Sequence, residues 1–310
     1  MWLAVVAIVA NALFALRYLA TLSPVQLEER EDLGEHAASV HFNVLFLLVI
    51  VLYLFRGSNR AARLVLLLLC LPVGYAYLLA ERRSAVVAFA VGLLLVVLSL
   101  WWRNRRQFFV VFPILLLFST GYIAAFWNSE ASAGFPAQAV KTVISEDQAS
   151  AKDRSSDLYR DIENFDLNFT IQSSPITGLG FGQKFLRPVP LPDISAFEFY
   201  EYIPHNSILW IWIKTGFFGF LSMLTLFALA MREGVKTLAR ERDPTYSAFV
   251  LVSVAYVCMY AIFAFVDIAW DPRSMVFLAL AMAFCTQRTS GGEPVDPIDA
   301  ELRTLMASER

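Results

Sequence analysis

The chain has 310 residues, 58% of them hydrophobic and 17% charged, with a formal net charge of −2. Its apolar residues are gathered into blocks about as long as a bilayer is thick, the composition of a polytopic membrane protein. Its basic residues are scattered through short connections rather than collected into a patch, which excludes nucleic acid as a partner. Cys70, Cys258 and Cys285 lie in or beside apolar segments without paired or metal-ligand spacing, so neither disulfides nor a metal site are expected.

Taken in chain order, stretches dominated by Leu, Val, Ile, Phe and Ala predict spans at 2–22, 40–55, 62–80, 84–102, 107–126, 206–231, 246–266 and 272–287. The fold expected is all-α: a transmembrane helix bundle with eight spans and one large extracytoplasmic loop containing an amphipathic helix. The first span is too long and too uniformly apolar for a secretory signal and is read as a retained helix. Residues 1–287 form the membrane domain. The stretch 288–310, polar with glycine and proline, is read as a disordered or loosely helical tail.

Orientation follows from Arg and Lys. The connections RGSNRAAR (Arg56, Arg60, Arg63) and RNRR (Arg103, Arg105, Arg106) and the segment Arg232, Lys236, Arg240, Arg242 alternate along the chain and fall on one side, read as cytoplasmic. The acidic EEREDLGEH connection, the 127–205 loop and the turn from Asp267 to Arg273 then face outward, with both termini inside. Trp101 and Trp102 close the fourth span on the inner side and Trp127 the fifth on the outer side, where indole rings favour the interface. One outer turn breaks the rule, since Glu81, Arg82 and Arg83 stand where arginine should be scarce. Either these arginines snorkel from two helix ends, or something holds their charge there.

The 127–205 loop exceeds every other connection, and long loops tend to carry function. Within it, DRSSDLYRDIENFDLNFTIQSSP spaces Leu158, Ile162, Phe165, Phe169 and Ile171 as on one helix face, which predicts an amphipathic helix lying on the membrane or on the bundle. PITGLGFG follows, with Gly178, Gly180 and Gly182 at alternate positions. A tight structural turn and a close backbone approach to a ligand both fit, and no strand precedes it as a dinucleotide fingerprint requires. His205 and Asn206 then open the sixth span after Pro204, with Asn206 or Ser207 as the helix cap. A histidine at such a place is structural or catalytic. Gly216 and Gly219 are read as close helix packing in lipid. Arg17 is read as snorkelling, and Lys214, about two turns below His205, as pointing into a hydrated cavity.

These residues together resemble the O-antigen ligase and polymerase superfamily of bacterial envelope glycosyltransferases. The resemblance rests on Arg160 followed fifteen positions later by the proline of PITGLGFG, on His205–Asn206 followed by Gly216 and Gly219, and on RRSA, with Arg83 in the arginine position of a motif that opens a span. It covers about residues 36–287. Members carry about a dozen spans, so the chain looks like one without about four N-terminal helices, and the family's tryptophan soon after the motif arginine is absent.

The resemblance implies a multi-pass enzyme of the bacterial cytoplasmic membrane. It would move a glycan from an undecaprenyl diphosphate carrier to a hydroxyl on a glycan, lipid or protein acceptor on the outer side, with inversion and without metal or other cofactor. It brings Arg83, Arg160 and, with them, Arg82 to the donor diphosphate, His205 to the role of base, and Gly178, Gly180, Gly182 and Asn206 near the substrate. Guanidinium groups suit a diphosphate leaving group because they hold its oxygens bidentately, and an imidazole suits proton removal near neutral pH. Arg154, Arg187 and Lys184 are secondary candidates. Two other readings stay open: a transporter or flippase of lipid-linked glycan, for which internal repeats and interrupted helices with midplane polar residues would be expected, and a non-catalytic membrane subunit of an envelope assembly.

Overall fold

The computed structural model describes residues 2–22, 37–129, 131–144, 151–191 and 199–287. The EEREDLGEH connection and the 288–310 tail lie outside them. Among the described residues there is no strand, and the chain is a bundle of helices: α1 (Trp2–Thr21), α2 (Ala38–Phe55), α3 (Arg60–Ala80), α4 (Arg83–Arg103), α5 (Arg105–Phe126), α6 (Phe135–Ile144), α7 (Ala151–Ser173), α8 (Ser207–Arg240), α9 (Pro244–Val266) and α10 (Pro272–Thr286). Seven of these, α1 to α5, α8 and α9, are long and apolar enough to cross a membrane. Helix α10 answers to the eighth predicted span but has only 15 residues, about 22 Å of rise against a hydrocarbon core of roughly 30 Å.

The first N–H groups of a helix have no partner within it, and side chains supply one at several helix starts here. Asn59, Asn104, Asp243 and Asp271 each accept the N–H of the residue three positions on, opening α3, α5, α9 and α10. Pro244 and Pro272 stand in the first turn, where no N–H is needed. At the other end of α8, the Arg103 guanidinium donates to the carbonyls of Leu238 (2.9 Å) and Glu241 (3.2 Å), tying α4 to the C-terminus of α8.

Helix α9 is the centre of the bundle, packed against α2, α4, α8 and α10, and two-thirds of its apolar window is buried, as is that of α2. Small residues permit the closest approaches. A Cβ on Gly92 of α4 would lie 2.6 Å from Leu47 and 2.7 Å from Met259, and one on Gly234 of α8 would lie 2.4 Å from Val254. Close glycine packing between helices, expected at Gly216 and Gly219, is therefore found at Gly92 and Gly234 instead. Helix α5 stands at the rim against α4 and α6, with none of its residues buried.

The long loop contains two helices. The unforeseen one, α6, packs on α4 and α5. The predicted amphipathic one, α7, lies against α8 with most of its apolar face turned away from the bundle. Leu158, Phe165 and Phe169 are exposed, whereas Glu163, Asp166, Leu167, Thr170 and Ile171 are buried. Leu167 and Ile171 join Phe185 and Ile213 in a small satellite core, so Ile171 parts from the face to which its spacing assigned it.

Candidate functional site

One end of the bundle brings the first turn of α4 to α7. Arg83 grips the Asp157 carboxylate with both terminal nitrogens, Nη1 at 3.2 Å from Oδ2 and Nη2 at 2.8 Å from Oδ1. Arg160, one turn along α7, places its Nη1 3.5 Å from the same Oδ1. One carboxylate thus sits between two guanidinium groups that lie far apart in the chain. Both arginine side chains are largely sheltered, at 22% and 27% exposure, while Asp157 is half exposed. Arg82 turns elsewhere: its Nη1 lies 3.9 Å from Oδ2 of buried Asp267, which also accepts from the Ser84 hydroxyl at 3.2 Å. The two arginines that break the expected charge pattern are both held by carboxylates.

Farther along α7, two consecutive residues bind the two that open α8. Buried Glu163 accepts the backbone N–H of His205 at 2.9 Å and faces its Nδ1 at 3.3 Å. The Asn164 side-chain oxygen accepts from Asn206 Nδ2 at 3.0 Å, and Asn206 Oδ1 accepts the Leu209 N–H at 3.0 Å as the cap of α8. Ser207, the other cap candidate, instead bonds through its hydroxyl to the carbonyl of Asp267 at 2.9 Å. The Tyr159 ring meets the imidazole edge to face, with centroids 5.5 Å apart. Burial, with Glu163 nearby, pushes the Tyr159 phenol up from its ordinary range.

The glycine turn is docked into a break in α8. At Gly216 the backbone takes φ 69° and ψ −171°, which interrupts the helix. The N–H groups of Leu179 and Gly180 bond the carbonyls of Ile213 (2.6 Å) and Lys214 (3.2 Å), and the Phe217 N–H bonds back to Pro175 O at 3.0 Å. Both sides of this seam need glycine. A Cβ on Gly216 would fall 2.0 Å from Ile176 O, and one on Gly178, at φ 69°, would fall 2.6 Å from Gly216 N. Gly180 and Gly182 also have positive φ, but open space surrounds their Cβ positions. Gly219 lies against Thr215 of its own helix rather than a neighbouring one. Lys214 is buried, with its ammonium donating to the Gln183 carbonyl, so it anchors the glycine segment to α8.

Of the secondary candidates, Arg187 is sandwiched between the rings of Phe185 and Tyr200, each centroid 4.8 Å away, and donates to Tyr200 O at 2.6 Å. Lys184 pairs with Glu201. Arg154 is exposed at the start of α7. Beneath this layer Asp166 is fully buried; its Oδ1 accepts the Val189 N–H at 3.1 Å, and its Oδ2 has no hydrogen-bond partner among the described residues. Burial pushes its carboxyl up, against the Val189 bond and the Arg187 charge, which pull it down.

The structure therefore brings together Arg83 with Arg160, and His205 with Asn206, along a single stripe of α7. Asp157, which joins Arg83 to Arg160, and Glu163, which binds His205, are absent from the sequence-derived candidates because each reads as one more charge on a solvated helix face. The only available signal is their spacing from Arg160, three residues before and three after, which shares its face.

A family model described as O-antigen ligase matches residues 64–224, a segment that contains the whole stripe, the glycine turn and the break at Gly216. The O-antigen ligase of Salmonella typhimurium (strain LT2) is 35% identical over 107 residues, 32% of this chain and 26% of that protein, so the match spans about a quarter of that relative's length. With a little over half of its residues matched by the family model, the chain is a multi-pass membrane protein that belongs to the O-antigen ligase family.

Proposed function

We propose that this protein transfers a glycan from an undecaprenyl diphosphate carrier to a hydroxyl of a glycan, lipid or protein acceptor on the outer side of the bacterial cytoplasmic membrane. The observation that carries the reading is the Asp157 carboxylate held between Arg83 and Arg160. Two guanidinium groups that converge on one internal anion form a receptor for another, and phosphate oxygens suit their paired donors. In this reading the donor diphosphate displaces Asp157, and its growing charge is stabilised by Arg83 and Arg160 without a metal.

His205 is the general base. It is tied to Glu163, six residues and about 9 Å of helix rise beyond Asp157, so clamp and base are served by the same face of α7. The acceptor oxygen attacks the anomeric carbon from the face opposite the diphosphate. Its O–H proton passes to the imidazole, and the breaking carbon–oxygen bond leaves its electron pair on the diphosphate, which inverts the anomeric centre. Asn206 and the glycine turn hold the mouth of α8 in shape. The basic connections put this end of the bundle outside and both termini inside.

Proteoliposomes supplied with labelled undecaprenyl diphosphate glycan and several hydroxyl acceptors test the reading. The parent protein should form product, and Arg83→Ala, Arg160→Ala and His205→Ala should insert normally but lose transfer. Full product formation by all three variants would sink the mechanism. Movement of the intact carrier across the bilayer without transfer would identify a flippase instead.

A further inference from the structure

Glu163 is 2% exposed, and a carboxylate so far from water is costly unless its oxygens are engaged. Here Oε2 accepts the backbone N–H of His205 at 2.9 Å and Oε1 lies 3.3 Å from the same residue's Nδ1. Docking α7 on the start of α8 does not require a charge for this. The neighbouring Asn164–Asn206 bond spans the same junction with neutral side chains, and a glutamine would bind the backbone N–H equally well. What the carboxylate adds is acceptor-only character. It can receive a hydrogen bond from Nδ1 only if that nitrogen carries the proton, which leaves the ring lone pair on Nε2. Tyr159, edge-on to the imidazole, packs the ring in that orientation. The imidazole itself is partly open, at 21% exposure, so the buried carboxylate stands behind a reachable ring.

We infer that Glu163 is the positioning residue of the transfer reaction, holding His205 as the Nδ1–H tautomer so that Nε2 is the atom that takes the acceptor's proton. This rests on the proposed role of His205 as base. As the acceptor O–H bond breaks, its proton moves to Nε2 and its electron pair forms the new bond to the anomeric carbon. Glu163 exchanges no proton. Its charge stabilises the imidazolium that exists once Nε2 is protonated, the division of labour found when a carboxylate backs a catalytic histidine.

The test separates tautomer from turnover. The full chain carries His36, His41 and His205, so selective nitrogen-15 labelling of histidine in lipid nanodiscs, assigned with His36→Asn and His41→Asn, isolates the His205 ring. In the parent protein Nδ1 should be protonated and Nε2 bare. Glu163→Gln has one oxygen and one amide nitrogen: with the oxygen on the backbone N–H, its NH2 faces Nδ1 and can only donate. It should move the ring proton onto Nε2, lower kcat by about 10⁴-fold and leave the KM for donor within about twofold. Glu163→Leu removes the acceptor, should move the ring proton onto Nε2, and should lower kcat by about 10³-fold or more.

An unchanged His205 tautomer in Glu163→Leu, or a kcat in Glu163→Gln equal to the parent's, overturns the inference while leaving glycan transfer standing. A parent protein that transfers nothing overturns the transfer reading and this role with it. Because Glu163→Gln preserves the hydrogen bond to the backbone, misfolding of Glu163→Leu would not rescue the idea from a negative result.

Discussion

Arg83 and Asp157 meet fork to fork across 74 positions of chain, the guanidinium at the first turn of α4 and the carboxylate near the start of α7. Only a planar group with two parallel donors makes this contact, and a lysine would engage one oxygen at a time. Arg83→Lys should therefore behave more like Arg83→Ala than like the parent. The alanine variant should lose about 10²-fold or more in transfer rate, the scale of removing one charge-stabilising donor. Initial rates with labelled donor in proteoliposomes check this, and near-complete rescue by lysine would show that charge alone is required.

Asp157 occupies the place that the diphosphate is proposed to take, so it competes with substrate. A half-exposed pair of this kind is worth about 0–1 kcal/mol, which limits the gain on its removal to about fivefold in affinity. Asp157→Asn should lower the KM for donor by up to that factor and leave kcat unchanged. A higher KM would show that the carboxylate instead orients Arg83 for its substrate.

The glycines of the outer loop and of α8 should divide into two groups. Gly178→Ala and Gly216→Ala drive a methyl into backbone atoms across the seam, at 2.6 Å and 2.0 Å respectively, and both residues have positive φ. Each should cost several kcal/mol, on the order of 3 or more, and yield little monodisperse protein on fluorescence-detected size exclusion. Gly180→Ala meets open space and bears only the conformational cost of about 1–2 kcal/mol, so it should fold and retain activity. Equal behaviour of Gly180→Ala and Gly216→Ala would refute the docking of this turn into the helix break.

Asp166 provides a pH signature. Burial raises its carboxyl, Glu163 adds to the rise, and the Val189 N–H and Arg187 oppose it. The folded protein thus holds this proton more tightly than the unfolded chain. Its favourable contribution is present at low pH, is lost as pH climbs from the ordinary carboxylate range through the raised folded value, and above that becomes a standing cost. Asp166→Asn retains an oxygen for the Val189 N–H without the buried charge. Thermal unfolding in detergent should find the variant more stable than the parent at neutral pH, with the gap narrowing as the buffer is acidified. A variant less stable at neutral pH would mean that attraction to Arg187 outweighs burial.

The spans were legible in the sequence because the bilayer imposes its thickness on each helix separately. Runs of about 20 apolar residues located α1 to α5 and α9 to within two positions and the start of α8 to within one, although α8 runs nine residues beyond the predicted end, to Arg240, and the misplaced charge of Arg82 and Arg83 marked the turn where both meet carboxylates. Arg160, His205 and Asn206 could be singled out through local motifs, and Asn206 caps α8 as its position implied.

What the tertiary structure alone decided is which groups face one another. Apolar periodicity located α7 and grouped Leu158, Phe165 and Phe169 on a face for the membrane or the bundle, but could not choose between them, because apolar side chains are accommodated by either. In the structure that face is exposed, while Glu163, Asp166 and Thr170 turn toward a polar loop and the mouth of α8. The role of Gly216 was hidden for a related reason: a glycine that packs helices and one that breaks a helix to admit a loop look alike in sequence, and only the approach of Ile176 and Gly178 distinguishes them. The partnership of Glu163 with His205, 42 positions away, depends on the path of the chain between them, which no local periodicity encodes.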